Sequence, residues 1–195
     1  MSLRPGLTLA LFVAISLTLV TVVHQTTHPR IAEAERQAVM ARLDQVLPSG
    51  YDNDPPGDAY SRPTPLDGAS PLRVYPAYRD ERYLGAAVEV ETRRGYSGPI
   101  RLLVGIDAGG RVVAVRAVSH RETPGLGDAI ETRRGDWIHG FAGRGIGDPP
   151  EGGWRLTVDG GEFDGITGAT VTARAVVEAV HRVLLDFERH EEHPP

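Results

Sequence analysis

Neither cysteine nor lysine occurs among the 195 residues. The first absence excludes disulfides, thiolate metal sites, iron–sulfur clusters ligated by this chain and a cysteine nucleophile. The second excludes a lysine Schiff base, and with it pyridoxal-type chemistry. All 21 basic residues are arginine, and 26 acidic residues outnumber them. The net charge of −5 gives no basic field for nucleic acid. Any redox chemistry must therefore use an organic cofactor or histidine and carboxylate ligands. An apolar fraction of 41% is near the usual globular level, and the length fits one ordinary domain with additions.

Charge is also missing from one long stretch near the N-terminus. Leu7 to Val23, LTLALFVAISLTLVTVV, holds 17 residues without a charged side chain, preceded by Arg4. That is the short end of the range for a membrane-spanning helix. It exceeds the usual core of a signal peptide, and no small-x-small cleavage site follows in HQTTHPR. A retained anchor over residues 1–24 is expected, with a cleaved signal peptide as the alternative. Arg4 places the N-terminus inside, whereas Arg30, Arg36 and Arg42 beyond the span weaken that asymmetry.

Residues 25–71 read as a helical extension followed by a linker. Ile31 to Val46 is rich in Ala, Glu, Arg and Gln, and Pro48, Ser49 and Gly50 stop it. Five prolines between residues 51 and 71 predict a linker or loose loop. A folded domain is expected over 72–188. Strands are predicted at Leu72–Ala77, Leu84–Glu91, Pro99–Ile106 and Arg111–Val118, the last two joined through Asp107-Ala108-Gly109-Gly110 as a hairpin. A short helix is predicted over Ala129–Phe141, interrupted by Gly135, and a last strand over Trp154–Val158. Thr170 to about Glu188 reads as the closing helix, with Val176, Val180, Val183, Leu184 and Phe187 near one face. The tail, 189–195, reads as disordered. Strands first and helices later predict an α+β domain with an antiparallel sheet and flanking helices. The repeated ETRRG at 91–95 and 131–135 has unmatched flanks and reads as coincidence.

Two polar stretches stand out. SHRETPGLGD, 119–128, hangs His120, Glu122 and Thr123 from a loop shaped by Pro124, Gly125, Leu126 and Gly127. One reading is a polar connection with Thr123 or Asp128 as a helix cap. The other is a loop whose amides and hydroxyl approach a ring or a phosphate. A metal reading of His120 and Glu122 lacks a third ligand at recognisable spacing. The second stretch is DGITGAT, 164–170, at the mouth of the closing helix. Thr170 suits an N-cap, and Asp164 suits the turn before it. The same geometry suits a phosphate, because a helix N-terminus offers unpaired amides and a positive dipole end, and Gly165 and Gly168 allow close approach. A Walker loop, a dinucleotide fingerprint and a G-x-S-x-G nucleophile motif are all absent. No general base beside Thr170 is evident, which disfavours a phosphotransferase-like enzyme.

Taken in order, GYSGPI (95–100), HRETPGLGD (120–128), DWIHGF (136–141) and DGITGATVTARAVVEAV (164–180) resemble the FMN-binding domain of the G subunits of Rnf-type electron transport complexes. The paralogous C subunits of the sodium-pumping NADH:quinone reductase share the TPGLG and S/T-GAT elements but are longer chains. The resemblance covers about residues 72–188. It implies a membrane-anchored flavoprotein of the inner membrane, with one N-terminal transmembrane helix and its bulk on the periplasmic side. Its role would be to relay electrons within an ion-translocating ferredoxin:NAD oxidoreductase-type complex. It implies partner subunits and a flavin transferase that moves FMN from FAD onto the last threonine of D-x-x-[ST]-G-A-T as a phosphoester. Asp164, Thr167, Gly168, Ala169 and Thr170 match that pattern, so Thr170 would carry the FMN phosphoryl group. His120, Glu122, Thr123, Gly125 and Leu126 would line the flavin ring. Thr167 would shape the turn, and Thr172 would direct its hydroxyl along the helix surface. Lysines common in the family are arginines here, which still suit phosphate. The rival expectation is a periplasmic non-redox binding module in which TGAT is only a helix cap.

Overall fold

The computed structural model describes residues 4–66 and 68–191. It divides into two compact units, residues 1–41 and 42–195. Part of the expected tail, 192–195, lies outside the described residues.

The first unit is most of helix α1 (Arg4–Leu43). Straight-chain and small residues dominate this run and favour the helix. From Leu11 to Val23 every side chain is exposed, and the large apolar ones, Phe12 and Val20 among them, are 50 to 71% exposed. Thr18 returns its hydroxyl to the Ala14 carbonyl at 2.8 Å, so its polar group is met within the helix. Among the described residues no helix is long and apolar enough to cross a membrane. The span expected at Leu7–Val23 includes Leu7, Thr8 and Ala10, whose side chains lie outside the described ones.

In the second unit, five antiparallel strands lie in chain order: β1 (Tyr60–Arg62), β2 (Leu72–Arg79), β3 (Arg82–Thr92), β4 (Ile100–Asp107) and β5 (Val112–Ser119). Alternation of apolar residues sets the register, because a slip of one residue would turn the apolar face to solvent. Val74, Val88, Val104 and Val115 pair in one row across four strands, and each is at most 1% exposed. Asp107 fastens the β4–β5 turn by accepting the amides of Gly109 and Arg111 at 2.9 and 3.0 Å.

Helix α2 (Thr170–Glu191) packs on this valine face. Val176, Val180, Val183, Leu184 and Phe187 recur at helical spacing and are all at most 3% exposed, as the sequence predicts. Full burial of such a side chain is worth about 1.5–3 kcal/mol, so this face holds the helix to the sheet. On the other face the turn after α1 lies close. A Cβ at Gly105 would stand 1.8 Å from the Val46 carbonyl oxygen, and Leu43, Val46 and Leu47 are buried.

Besides residues 189–191, expected in a disordered tail and found in α2, three segments differ from the sequence expectation. The Pro-rich stretch holds β1, and Asn53 is fastened to β2 through the Pro76 carbonyl (3.0 Å) and the Tyr78 amide (2.9 Å). Arg62 of β1 also pairs with Asp186 of α2 at 2.7 Å. Ala129–Phe141 is not one helix but two 3-10 turns, Gly127–Ile130 and Trp137–Phe141. The intervening Thr132 and Gly135 are poor helix formers, and Ile130, Ile138 and Phe141 anchor each turn separately. Trp154–Val158 is not a strand of the sheet. Its backbone bonds locally, Thr157 to Phe163 at 2.8 Å and Gly161 to Leu156 at 2.9 Å, around a left-handed turn at Gly160.

Candidate functional site

The closing helix begins one residue too early for Thr170 to be its cap. Ala169, 7% exposed, takes the position before the helix, and Thr170 is the first helical residue. The first helical hydrogen bond runs from the Ala173 amide to the Ala169 carbonyl at 3.1 Å. The amides of Thr170, Val171 and Thr172 therefore have no partner within the helix. The Thr170 side chain is exposed and makes no hydrogen bond among the described residues. Gly168 turns the chain into the helix with φ +76°, a conformation that costs other residues. A Cβ there would also meet Leu126 Cδ2 at 2.8 Å.

Leu126 belongs to the facing loop. The amides of Leu126, Gly127 and Asp128 converge on the Thr123 carbonyl at 3.2, 3.0 and 3.4 Å, with Gly125 left-handed at φ +77°. This fold of the loop leaves Thr123 to Leu126 exposed. Glu122 is different: it is buried at 5% exposure. Its Oε1 accepts the Ser97 amide at 3.0 Å, and its Oε2 accepts the Thr172 hydroxyl. Thr172 is 0% exposed, so its hydroxyl points inward to Glu122 and not along the helix surface as expected. A buried hydroxyl needs an acceptor, and Glu122 supplies it.

Loop, turn and helix start enclose an open cavity of about 500 Å³. Of the residues singled out from sequence, Glu122, Thr123, Leu126, Gly168, Ala169 and Thr170 line it. Four others do not. His120 bonds instead to Glu131 at 3.0 Å and accepts the Glu122 amide on Nδ1 at 3.2 Å, bracing the loop from behind. Asp164 is exposed, and its backbone carbonyl accepts the Trp137 indole N–H at 2.7 Å. Thr167 is exposed in the turn, and Gly125 sits at the loop tip with open space beside it. The lining also includes Gly127, one of the residues expected to shape the loop, and adds Tyr96, Val171 and Thr172, to which sequence reasoning gave no place in the site. Tyr96 is 72% exposed, Val171 44% and Leu126 42%, so the cavity has an apolar rim. The available signal was GYSG, an aromatic residue in a tight turn where a core residue has no room.

Two carboxylates near the site are paired with arginines. One helical turn beyond Thr170, Arg174 grips Asp159 at 2.8 and 2.9 Å. The guanidinium hydrogen bonds hold the Asp159 carboxyl below its ordinary range. Behind the loop, a hydrogen bond from Arg133 lowers the pKa of Glu131; burial opposes it, and a hydrogen bond from His120 adds to the lowering.

The FMN-binding domain family matches residues 95–185, and the family described as the RnfG N-terminal region matches residues 1–46. Among curated proteins, the G subunit of the ion-translocating oxidoreductase complex of Pseudomonas aeruginosa is 45% identical over 193 residues, covering 97% of this chain and 90% of that one. The protein of the same name from Escherichia coli is 46% identical over 180 residues, covering 92% and 87%. That from Cereibacter sphaeroides is 43% identical over 186 residues, covering 95% and 84%.

Proposed function

The chain belongs to the family of G subunits of ion-translocating oxidoreductase complexes, and from that premise we propose that it is a membrane-anchored flavoprotein that relays electrons through FMN held covalently on Thr170. The observation that carries the proposal is the placement of one hydroxyl. Thr170 is exposed, with no hydrogen bond from its side chain among the described residues, at the N-terminus of α2, on the rim of a cavity of about 500 Å³. Small-molecule sites commonly measure about 300–1,000 Å³ and are mostly apolar with a few polar groups. Tyr96, Leu126 and Val171 provide apolar surface for a ring, and Thr123 and loop amides provide polar contacts.

Thr170 Oγ1 would form the new O–P bond to the flavin-side phosphorus of FAD. The P–O bond of the pyrophosphate bridge breaks, AMP leaves with the electron pair, and the hydroxyl proton passes to solvent. A dedicated flavin transferase would catalyse the transfer, and no base of this chain is required. The unpaired amides of the first turn then face a phosphoester charge, worth about 0.3–1 kcal/mol at an exposed helix end. When bound, the flavin supplies the redox chemistry; the chain positions it and tunes its surroundings. Covalent attachment keeps such a carrier from diffusing away outside the cytoplasm.

The exposed apolar surface of α1 supports an N-terminal anchor, since a helix apolar all round seeks a core or a bilayer. The partners would be the other membrane and peripheral subunits of the complex. The rival reading, a binding module in which TGAT only caps a helix, loses its main support because Thr170 lies inside α2. Purification after co-production with a flavin transferase tests the proposal. Denatured protein should stay yellow and carry the FMN mass; colourless protein of unmodified mass would overturn it.

A further inference from the structure

Glu122 is buried in a loop whose next four residues are exposed. A carboxylate leaves water only when donors replace the lost hydration. Here the donors come from two segments remote in sequence: the Ser97 amide in the turn after β3, and the Thr172 hydroxyl in the first turn of α2. The surroundings are shaped to that side chain. A Cβ at Gly95 would stand 2.8 Å from Glu122 Oε1, and one at Gly127 would stand 2.7 Å from Glu122 Cβ. Turn, loop and helix start thus meet at one carboxylate, and the same three segments line the cavity.

The helix geometry links this contact to Thr170. Successive helical residues turn by about 100°, so Thr170 and Thr172 point in nearly opposite directions, about 200° apart. Drawing Thr172 inward to Glu122 therefore turns Thr170 outward, as their 0% and exposed environments record. We infer that Glu122 is the positioning residue of the flavin site: through Thr172 and Ser97 it sets the direction of the Thr170 hydroxyl and the width of the cavity. It acts through those partners and not as a ligand of the flavin. The inference rests on Thr170 being the attachment point.

Full-length wild type, Thr172→Val, Thr172→Ser and Glu122→Gln are co-produced with the flavin transferase. Covalent incorporation is followed by intact mass, and the flavin surroundings by visible circular dichroism. Valine keeps the shape of threonine but removes the donor, so incorporation should slow by roughly tenfold, the worth of a hydrogen bond to a carboxylate. The dichroism of the flavin that does attach should change. Serine restores the donor and should return both readouts close to wild type. Glu122→Gln, which offers the Ser97 amide and Thr172 hydroxyl fewer acceptor sites, should resemble Thr172→Val and stands in for it if valine prevents folding. Wild-type rate and dichroism in both Thr172→Val and Glu122→Gln would overturn the inference, as would a serine variant no better than valine. Wild type that acquires no covalent flavin would sink the attachment reading, and this inference with it; modified wild type beside unaffected variants sinks this inference alone.

Discussion

The indole of Trp154 and the imidazole of His181 lie face to face, with centroids 5.0 Å apart and planes within 2°. Trp154 also contacts Phe163 at 5.1 Å, and Phe163 stacks on Phe141 at 4.9 Å, so the imidazole closes an aromatic row beneath α2. Burial lowers the pKa of His181; Glu151 opposes this and Arg182 adds to it. The folded state then binds a proton less readily than the unfolded chain. Stability is complete above the ordinary imidazole range and is lost as pH falls through it toward the depressed folded value. Acidification from about pH 7.5 to about 5.5 should lower the thermal midpoint of wild type more than that of His181→Phe, which keeps a ring but cannot titrate. Parallel shifts in the two proteins would refute this.

Thr170→Ala should abolish covalent FMN and leave the domain folded. Among the described residues the hydroxyl makes no hydrogen bond, and Thr170 is not the cap, so the stability change should stay within about 0.5 kcal/mol, the range of exposed substitutions. Thr170→Ser should retain some attachment, because the nucleophilic hydroxyl remains. Intact mass after co-production with the transferase, together with a urea titration, checks both. FMN mass on Thr170→Ala, or a peptide map placing it on Thr167, would refute the assignment.

Gly168 and Gly125 share a left-handed backbone but differ in their neighbours, and alanine at each separates the two costs. At Gly125 a Cβ meets open space, so Gly125→Ala should cost about 1–2 kcal/mol of backbone preference alone. At Gly168 the same change also drives a methyl to 2.8 Å from Leu126 Cδ2. It should cost more and shift the visible spectrum of the bound flavin, because Leu126 lines the cavity. Equal unfolding free energies for the two variants would count against this difference.

Alkaline phosphatase joined to the C-terminal end of the full chain should be active, and a cytoplasmic reporter at the same place inactive. The junction belongs beyond α2, which runs to Glu191, so that the buried Phe187 is left undisturbed. The reverse pattern of activities would place the domain inside the cell and overturn the proposed orientation.

Much of the architecture was legible because periodicity reports burial. The valine row of β2 to β5 and the apolar stripe of α2 announce themselves at two- and 3.6-residue spacing. Strand β1 did not, because three residues among prolines carry no period and pair only through β2. Trp154–Val158 looked like a strand because Trp, Leu and Val favour sheets, yet the turn at Gly160 satisfies its backbone locally. In the site, Thr170 and the loop were visible through their motifs. The roles of Glu122 and Thr172 were not, since side-chain direction emerges only when residues 50 apart meet. Tyr96 was overlooked for the opposite reason: an exposed aromatic in a turn has no periodic neighbour to mark it.

Among the described residues helix α2 is the last element, and it both seals the valine face and begins with Thr170. Until it docks, the sheet has an open apolar side and Thr170 has no defined setting. Synthesis delivers that helix after the sheet it covers. A chain stalled before α2 would thus lack the proposed acceptor altogether, and a misfolded one would present it without its cavity. With the proposed attachment at Thr170, cofactor loading would serve as a timestamp of completed folding, so that only finished subunits would enter a complex carrying a flavin.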